Sequence, residues 1–333
     1  MTTFVEPRLS YRTSIPREDV HRAAICEVFL TDIVCDRYPK FRLGAQLPRV
    51  HSYYSDHDCV EQRYDPLLLL ETFRQASILI AHRYVQAPPD SAFIFNIGAL
   101  RIVSLDALAI GPRPADGVLD AEIVEEKTRD GIIVGITLKM TLSLDNRPAA
   151  EMDMVIQWMP RAAWARLRAK GRASLALEPV RAHGLDTRID PREVARRLTG
   201  NVLVAGFEVH DNAISTRILV DEDHPALFDH PLDHVPGVLV FEAVRQSALV
   251  AAHELFGLSP HRIVLVECSV QFVSIGELEL PVDCEVTTES TECGNQLAFA
   301  ASLHQEGRVI ASATILLQRI GTSPRVRAIR IPA

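Results

Sequence analysis

The feature that most constrains this chain is that it carries the same segment twice. Residues 66–82, PLLLLETFRQASILIAH, align without a gap on residues 237–253, GVLVFEAVRQSALVAAH, at an offset of 171. Glu71, Arg74, Gln75 and His82 fall on Glu242, Arg245, Gln246 and His253, and apolar residues coincide at nearly every position between them. Upstream, His51 with Asp56-His57 repeats as His224 with Asp229-His230, and two extra residues then enter the first half before its helix. The pattern reads as a duplication within one chain, so the two halves should share one fold.

Each repeated segment is apolar on nearly every face, so a helix built from it has to be enclosed. After the first come the β-rich runs AFIFNIGALRIV, GVLDAEIVEE, GIIVGITLKMTL and AEMDMVIQWM, with turn signals at Arg129-Asp130-Gly131 and Asp145-Asn146-Arg147-Pro148. After the second come RIVLVECSVQFV, VDCEVTTES, QLAFAASLH and RVIASATILLQR. A curved antiparallel sheet wrapped around each helix is the simplest enclosure. This predicts an α+β double hotdog, each half a strand, a long central helix and a meander of antiparallel strands. The expected boundaries are an N-terminal domain over 1–165, a linker over 166–197 and a C-terminal domain over 198–322. The stretch 161–197 is basic, carries Pro179, Gly184 and Pro191, and is expected to be partly helical.

With 333 residues, 47% of them hydrophobic, the chain can build two cores. A net charge of −8 argues against a nucleic-acid or anionic-membrane binder, and no helix-turn-helix with a basic recognition helix is found. The six cysteines form no CxxC pair and no Cys/His ligand spacing, which points to no zinc site, no disulfide framework and a reducing cytoplasm. The N-terminal residues lack signal-peptide character, and no stretch is apolar for long enough to span a membrane.

The polar residues of the two helices need an account, because an unpaired buried charge costs several kcal/mol. At about 100° per residue, positions i, i+3, i+4 and i+11 share one stripe. Glu242 with Arg245 is therefore either an ion pair that fixes helix packing or a catalytic pair. Three features favour the second reading: the motif occurs twice, its flanks are too apolar for a solvated face, and Pro236-Gly237 opens the second helix. There the N–H groups of Gly237 and Val238 could hold an oxyanion, with Glu242 placed to take a proton. His82 and His253 lie about 16 Å further along the axis and read as helix C-terminal histidines. His57 and His234 stand as acid/base candidates or as turn residues. The segment RAAWARLRAKGR is either a solvated face or a docking surface for an acidic carrier protein. Cys59 could act as a nucleophile only with a histidine partner that the sequence does not place.

Several of these segments resemble the AfsA family of γ-butyrolactone biosynthesis: VHRAAICEVFLTD (20–32), LPRVHSYYSD (47–56), DPLLLLETFRQA (65–76) and HPALFDHPLDHVPGVLVFEAVRQSA (224–248). The resemblance spans about 20–320 and includes the two-fold repeat. It implies an acyltransferase that joins a β-ketoacyl group, delivered on acyl carrier protein, to dihydroxyacetone phosphate. The ester then closes to a butenolide phosphate, the precursor of a butyrolactone, butenolide or furan signal controlling secondary metabolism. The family's candidate catalytic residues match Glu71, Glu242 and Arg245, and no metal or redox cofactor is required. The reading combines Glu242 as base with the N–H groups of Gly237 and Val238 for the oxyanion. Arg245 or Arg74 clamps phosphate, and Gln75, Gln246, His57 and His234 complete the binding set. Rival readings are another hotdog thioester enzyme, a thioesterase or dehydratase, and a non-catalytic acyl binder. The first helix opens with Asp65-Pro66 instead of Pro-Gly, so the halves should not be equivalent. If they pair like a homodimer, one chain supplies both sides of its site, and further self-association stays open.

Overall fold

The computed structural model describes residues 9–59, 61–173, 175, 177, 187–289 and 294–321; Pro179, Gly184 and Cys293 lie outside them. The first half runs β1 (Leu30–Arg37), β2 (Lys40–Leu47), α1 (Pro66–Arg83), β3 (Ser91–Ile102), β4 (Ala115–Arg129), β5 (Ile132–Leu144) and β6 (Arg147–Pro160). Helix α2 (Arg161–Arg172) follows. The second half runs β7 (Val204–Val209), β8 (Ala213–Ile218), α3 (Gly237–Phe256), β9 (Ile263–Phe272), β10 (Val282–Glu289), β11 (Gln296–Gln305) and β12 (Arg308–Arg319).

These strands form one open antiparallel sheet in the order β1-β2-β4-β5-β6-β3-β9-β12-β11-β10-β8-β7. The order is the same read inward from either end, so the halves meet about a pseudo-two-fold axis at the β3–β9 seam, where Ile97 faces Gln271 and Arg101 faces Glu267. This is the double hotdog. Two details differ from the sequence reading. Two strands precede each helix: β1 and β2 pair as an antiparallel hairpin, and β2 turns Phe41, Leu43, Ala45 and Leu47 into the core. The strand after each helix also leaves the meander: the helix carries the chain across the sheet, so β3 and β9 start at the inner edge and build the seam.

Both central helices are enclosed, as their all-round apolar surface requires; α1 buries Leu67 through Phe73 and Ile78 through Ala81, and α3 buries Val238 through Ala252. Their N-termini differ. The Asp65 carboxylate caps α1 by accepting from the Leu67 N–H at 2.9 Å, whereas α3 follows Pro236 and has no side-chain cap. Gly257 ends α3 at a φ of 63°, the left-handed conformation that suits glycine.

Helix α2 lies where the basic linker was expected, but it is not simply a solvated face. Arg168 is buried and donates to both carboxylate oxygens of Glu277, at 2.6 Å each, and to Asp233. Arg172 pairs with Glu277 and Glu279. Arg161, Arg166 and Lys170 remain exposed. Among the described residues no helix is long and apolar enough to cross a membrane.

Candidate active site

Both helix glutamates are fully buried, and each meets the arginine and glutamine of its own stripe. In the first half Glu71 accepts from Arg74 Nε at 2.7 Å and from Gln75 Nε2 at 2.7 Å. A second guanidinium, Arg22, reaches it from the N-terminal arm, with Nη2 at 2.5 Å. In the second half Glu242 takes Arg245, Gln246 and Arg196, the last with Nη2 at 2.8 Å. Each glutamine also pins the strand-entry backbone. Gln75 bonds the Phe29 N–H and Glu27 carbonyl, and Gln246 the Leu203 N–H and Asn201 carbonyl. Burial favours protonated Glu71, but Arg22 and Arg74 outweigh it and hold the carboxyl at about 2. The same opposition, from Arg196 and Arg245, leaves Glu242 below its ordinary range.

The halves then diverge. Arg245 Nη1 bonds the Asp65 carboxylate at 2.6 Å, and His57 Nε2 lies 3.0 Å from its other oxygen. Asp65 thus crosses from the first half and seals the second, leaving a pocket of only about 40 Å³ beside His57, Cys59 and Arg245. Burial pushes the Cys59 thiol up, against a nucleophilic role. The position matching Asp65 ahead of α3 is Pro236, which has no carboxylate to return. Arg74 therefore grips Glu71 through Nε and Nη2, while its Nη1 has no hydrogen-bond partner among the described residues.

That free guanidinium edge faces a cavity of about 450 Å³ between the halves. Arg22, Arg74 and His21 line it from the first half, and His230, His234 and the α3 start at Gly237 and Val238 from the second. Leu70, Ile97, Met154 and Phe272 supply an apolar wall. An adjoining space of about 230 Å³, lined by Ile94, Val240, Ile275 and Ile310, continues it and shares Phe93, Gly237 and Phe272. With α3 uncapped, the N–H groups of Gly237 and Val238 have no acceptor within the helix, and the positive end of its dipole points into this space.

The expected site residues thus separate into two places. Arg74, His234, Gly237 and Val238 meet in the open cavity, with Glu71 and Gln75 behind them. Glu242, Arg245, Gln246 and His57 belong to the sealed half, and Glu242 is absent from the wall that Gly237 and Val238 form. The pairing of Glu242 with an oxyanion site at Gly237 is therefore corrected: the side chain one turn inside α3 points into the sealed ion-pair cluster. His234 bonds Asp233 at 2.7 Å and packs its ring on Trp164. His82 and His253 do serve the helix ends, through Nδ1 to the carbonyls of Ala87 and Leu258. Sequence reasoning missed Arg22, Arg196, Asp65, His21 and His230.

His21 has a further arrangement. The Nδ1–H of His82 is committed to the Ala87 carbonyl, so its Nε2 accepts from His21 Nε2–H at 2.8 Å. This leaves His21 Nδ1 as an unprotonated nitrogen with no partner among the described residues. Burial, then His82 and Arg74, hold this imidazole down at about 3, so it is neutral. Its counterpart in the sealed half is Ala195, with the same left-handed backbone at φ 53° against 52° for His21. Among the described residues no cluster of His, Cys, Asp or Glu is placed to hold a metal ion.

Fold and site together define a fused double hotdog with one sealed half-site and one open, cation-lined cavity between the halves. The chain belongs to the AfsA family: the A-factor biosynthesis hotdog domain matches residues 6–160 and 177–320. It is 33% identical over 237 residues, covering 71% of this chain and 76% of the relative, to the 2-oxo-3-(phosphooxy)propyl 3-oxoalkanoate synthase of Streptomyces virginiae. It is 25% identical over 303 residues, 90% of each chain, to the protein of that name from Streptomyces coelicolor. Among solved structures, the pyran synthase domain from module nine of the sorangicin pathway superposes with a TM-score of 0.53 at 12% identity, covering 88% of this chain and 98% of that one. A putative oleoyl thioesterase from Lactobacillus plantarum gives 0.50 at 13%, covering 86% and 98%. At these identities the structures speak for the fold alone.

Proposed function

We propose that the protein is an acyltransferase that moves a 3-oxoalkanoyl group from a thioester to the hydroxyl of dihydroxyacetone phosphate. The product is the ester, or the butenolide phosphate formed by its ring closure, on the way to a butyrolactone-type signal. The observation that carries this reading is the open cavity, where cations, an uncapped helix start and an apolar wall converge, in a chain whose relatives are named for that product.

In this reading the thioester carbonyl lies at the α3 start, and the N–H groups of Gly237 and Val238 stabilise the oxyanion. The acyl tail follows Ile97, Met154 and Phe272 into the adjoining apolar space. Arg22 and Arg74 draw in the phosphate. Glu71 accepts from three side chains, Arg22, Arg74 and Gln75, so it fixes the two guanidiniums and its oxygens are committed to them and not to a substrate hydroxyl. The part of proton acceptor falls to His21 Nδ1. A phosphate on Arg74 offsets part of the positive field that weakens His21 as a base. The hydroxyl gives its proton to His21, the new C–O bond forms, the C–S bond breaks, and the proton passes to the departing thiolate. The donor arrives on an acidic carrier protein, for which Arg161, Arg166 and Lys170 offer an exposed basic edge on α2; Arg161 and Trp164 also line the cavity.

The test is mass spectrometry of purified protein with a 3-oxoalkanoyl thioester, with and without dihydroxyacetone phosphate. A phosphate-bearing ester or butenolide that needs both substrates, and falls at least tenfold in His21→Gln, is the expected result. Thiol release that ignores the phosphate substrate would instead make the protein a hydrolase.

A further inference from the structure

The two halves hold matching residues in two states, and the sealed state shows how an anion sits among them. Asp56 accepts from the N–H groups of Arg197 and Leu198 at 3.2 and 3.1 Å, and Asp229 accepts from those of Ala23 and Ala24 at 2.6 and 3.0 Å. Arg196 therefore corresponds to Arg22, and His57, next to Asp56, corresponds to His230. Arg245 corresponds to Arg74 through the helix repeat. In the sealed half the Asp65 carboxylate lies between Arg245 and His57, at 2.6 and 3.0 Å. In the open half Arg74 and His230 line the same cavity, and Pro236 places no carboxylate between them.

We infer that the open half binds an external anion between Arg74 and His230, in the place that the Asp65 carboxylate fills in the sealed half, and that this anion is the phosphate of the acyl acceptor. The identity of the phosphate rests on the acyltransferase reading; the subsite itself does not. Three observations support it. Arg74 Nη1 is unpaired among the described residues. Among the described residues His230 makes only a long Nδ1 contact, 3.4 Å, to Asp229, and its Nε2, the atom His57 turns to Asp65, has no partner. The cavity also has room for a tetrahedral group where the sealed pocket has none.

The charges around His230 set a consequence. Arg22 and Arg74 face it as cations, Asp229 as an anion, and His21 as a neutral ring. Burial, reinforced by the two guanidiniums, keeps the His230 imidazole below its ordinary range despite the Asp229 contact. An arriving phosphate reverses that field, so His230 gains a proton at Nε2 and donates it to a phosphate oxygen. Binding should therefore take up protons.

The experiment is calorimetric titration of the full chain near pH 7.5 with dihydroxyacetone phosphate, inorganic phosphate and unphosphorylated dihydroxyacetone, each in two buffers of different ionisation enthalpy. Wild type is expected to bind both phosphates at one site per chain with proton uptake, and the unphosphorylated triose at least tenfold more weakly. His230→Gln should lose the buffer dependence and at least tenfold in affinity. Arg74→Lys, which keeps the charge but not the fork, should lose affinity and keep the uptake; melting curves confirm that both variants are folded. Phosphate affinity and proton uptake unchanged in His230→Gln would overturn the subsite, and ester formation by that variant would leave the acyltransferase reading standing. Phosphate binding that depends on both residues, in a chain that makes no ester from any 3-oxoalkanoyl thioester, would keep the subsite and remove the reading.

Discussion

Glu71 and Glu242 are equivalent by sequence, by burial and by the kinds of neighbour they hold, yet their removal should have different effects. Each is locked to two guanidiniums, so Glu71→Gln and Glu242→Gln should both destabilise the fold, by about 3–5 kcal/mol if the arginines stay buried without their partner. Thermal melting would show comparable losses. At a temperature where both variants are folded, the acyl-transfer rate should fall at least tenfold more in Glu71→Gln, because only Glu71 orients cations that face the cavity. Equal rate losses would return Glu242 to the chemistry. The pH dependence follows from the same pairing. Glu71 titrates near 2 in the fold against 4.5 ordinarily, so the stability it contributes is complete above about 4.5 and disappears as pH falls through 2. In acid titrations followed by circular dichroism, Glu71→Gln should lose less stability across that window than wild type does. The Glu, Arg and Gln of each cluster were legible as i, i+3 and i+4 on one helix. Arg22 and Arg196 were not, since they sit in loops 49 and 46 residues before their glutamates, where no periodicity marks them. The one available signal was that both halves place an arginine at nearly the same distance ahead of the helix.

The helix starts carry the asymmetry at the next scale. Asp65 caps α1, binds Arg245 and faces His57, so Asp65→Ala should cost about 0.5–2 kcal/mol for the cap, with a larger loss from Arg245 left buried without that partner. Asp65→Asn keeps an acceptor for the Leu67 N–H and should recover the first part only; chemical denaturation of the two variants separates the contributions. The Asp-Pro against Pro-Gly difference was visible in the sequence, but its meaning was not, because the partner of Asp65 is 180 residues away. Helix α2 offers a second prediction. Reversing Arg166 and Lys170, which lie outside the cavity wall, to Glu should raise KM for a carrier-bound donor several-fold and leave KM for a short pantetheine thioester unchanged, as expected for a rim charge patch that steers encounter. An equal effect on both donors would assign the helix to cavity shape instead. The helix was legible from composition, whereas the burial of Arg168 was not, since Glu277 and Asp233 approach only after the chain folds back.

At the scale of the whole molecule, the β3–β9 seam makes the two halves one sheet, and each half also holds the other's entry loop through Asp56 and Asp229. Either half alone would expose a long unpaired strand edge. Expressed separately, the halves should aggregate or self-associate by size-exclusion chromatography, and should recover a one-to-one complex when produced together. The overall architecture was readable because duplication and all-apolar helices leave few ways to enclose both. Which half stays open was not, because that depends on a single carboxylate crossing the axis.

The same crossing has an evolutionary side. In a protein assembled from two identical subunits, every substitution appears at both sites at once, so an aspartate that closed one would close the other. Here the two sites are encoded separately. One could surrender its opening to a residue that braces the neighbouring half, while its twin kept the opening. Descent through gene duplication and fusion would thus let one ancestral pocket become two inherited parts, one left open and the other permanently filled by the chain itself.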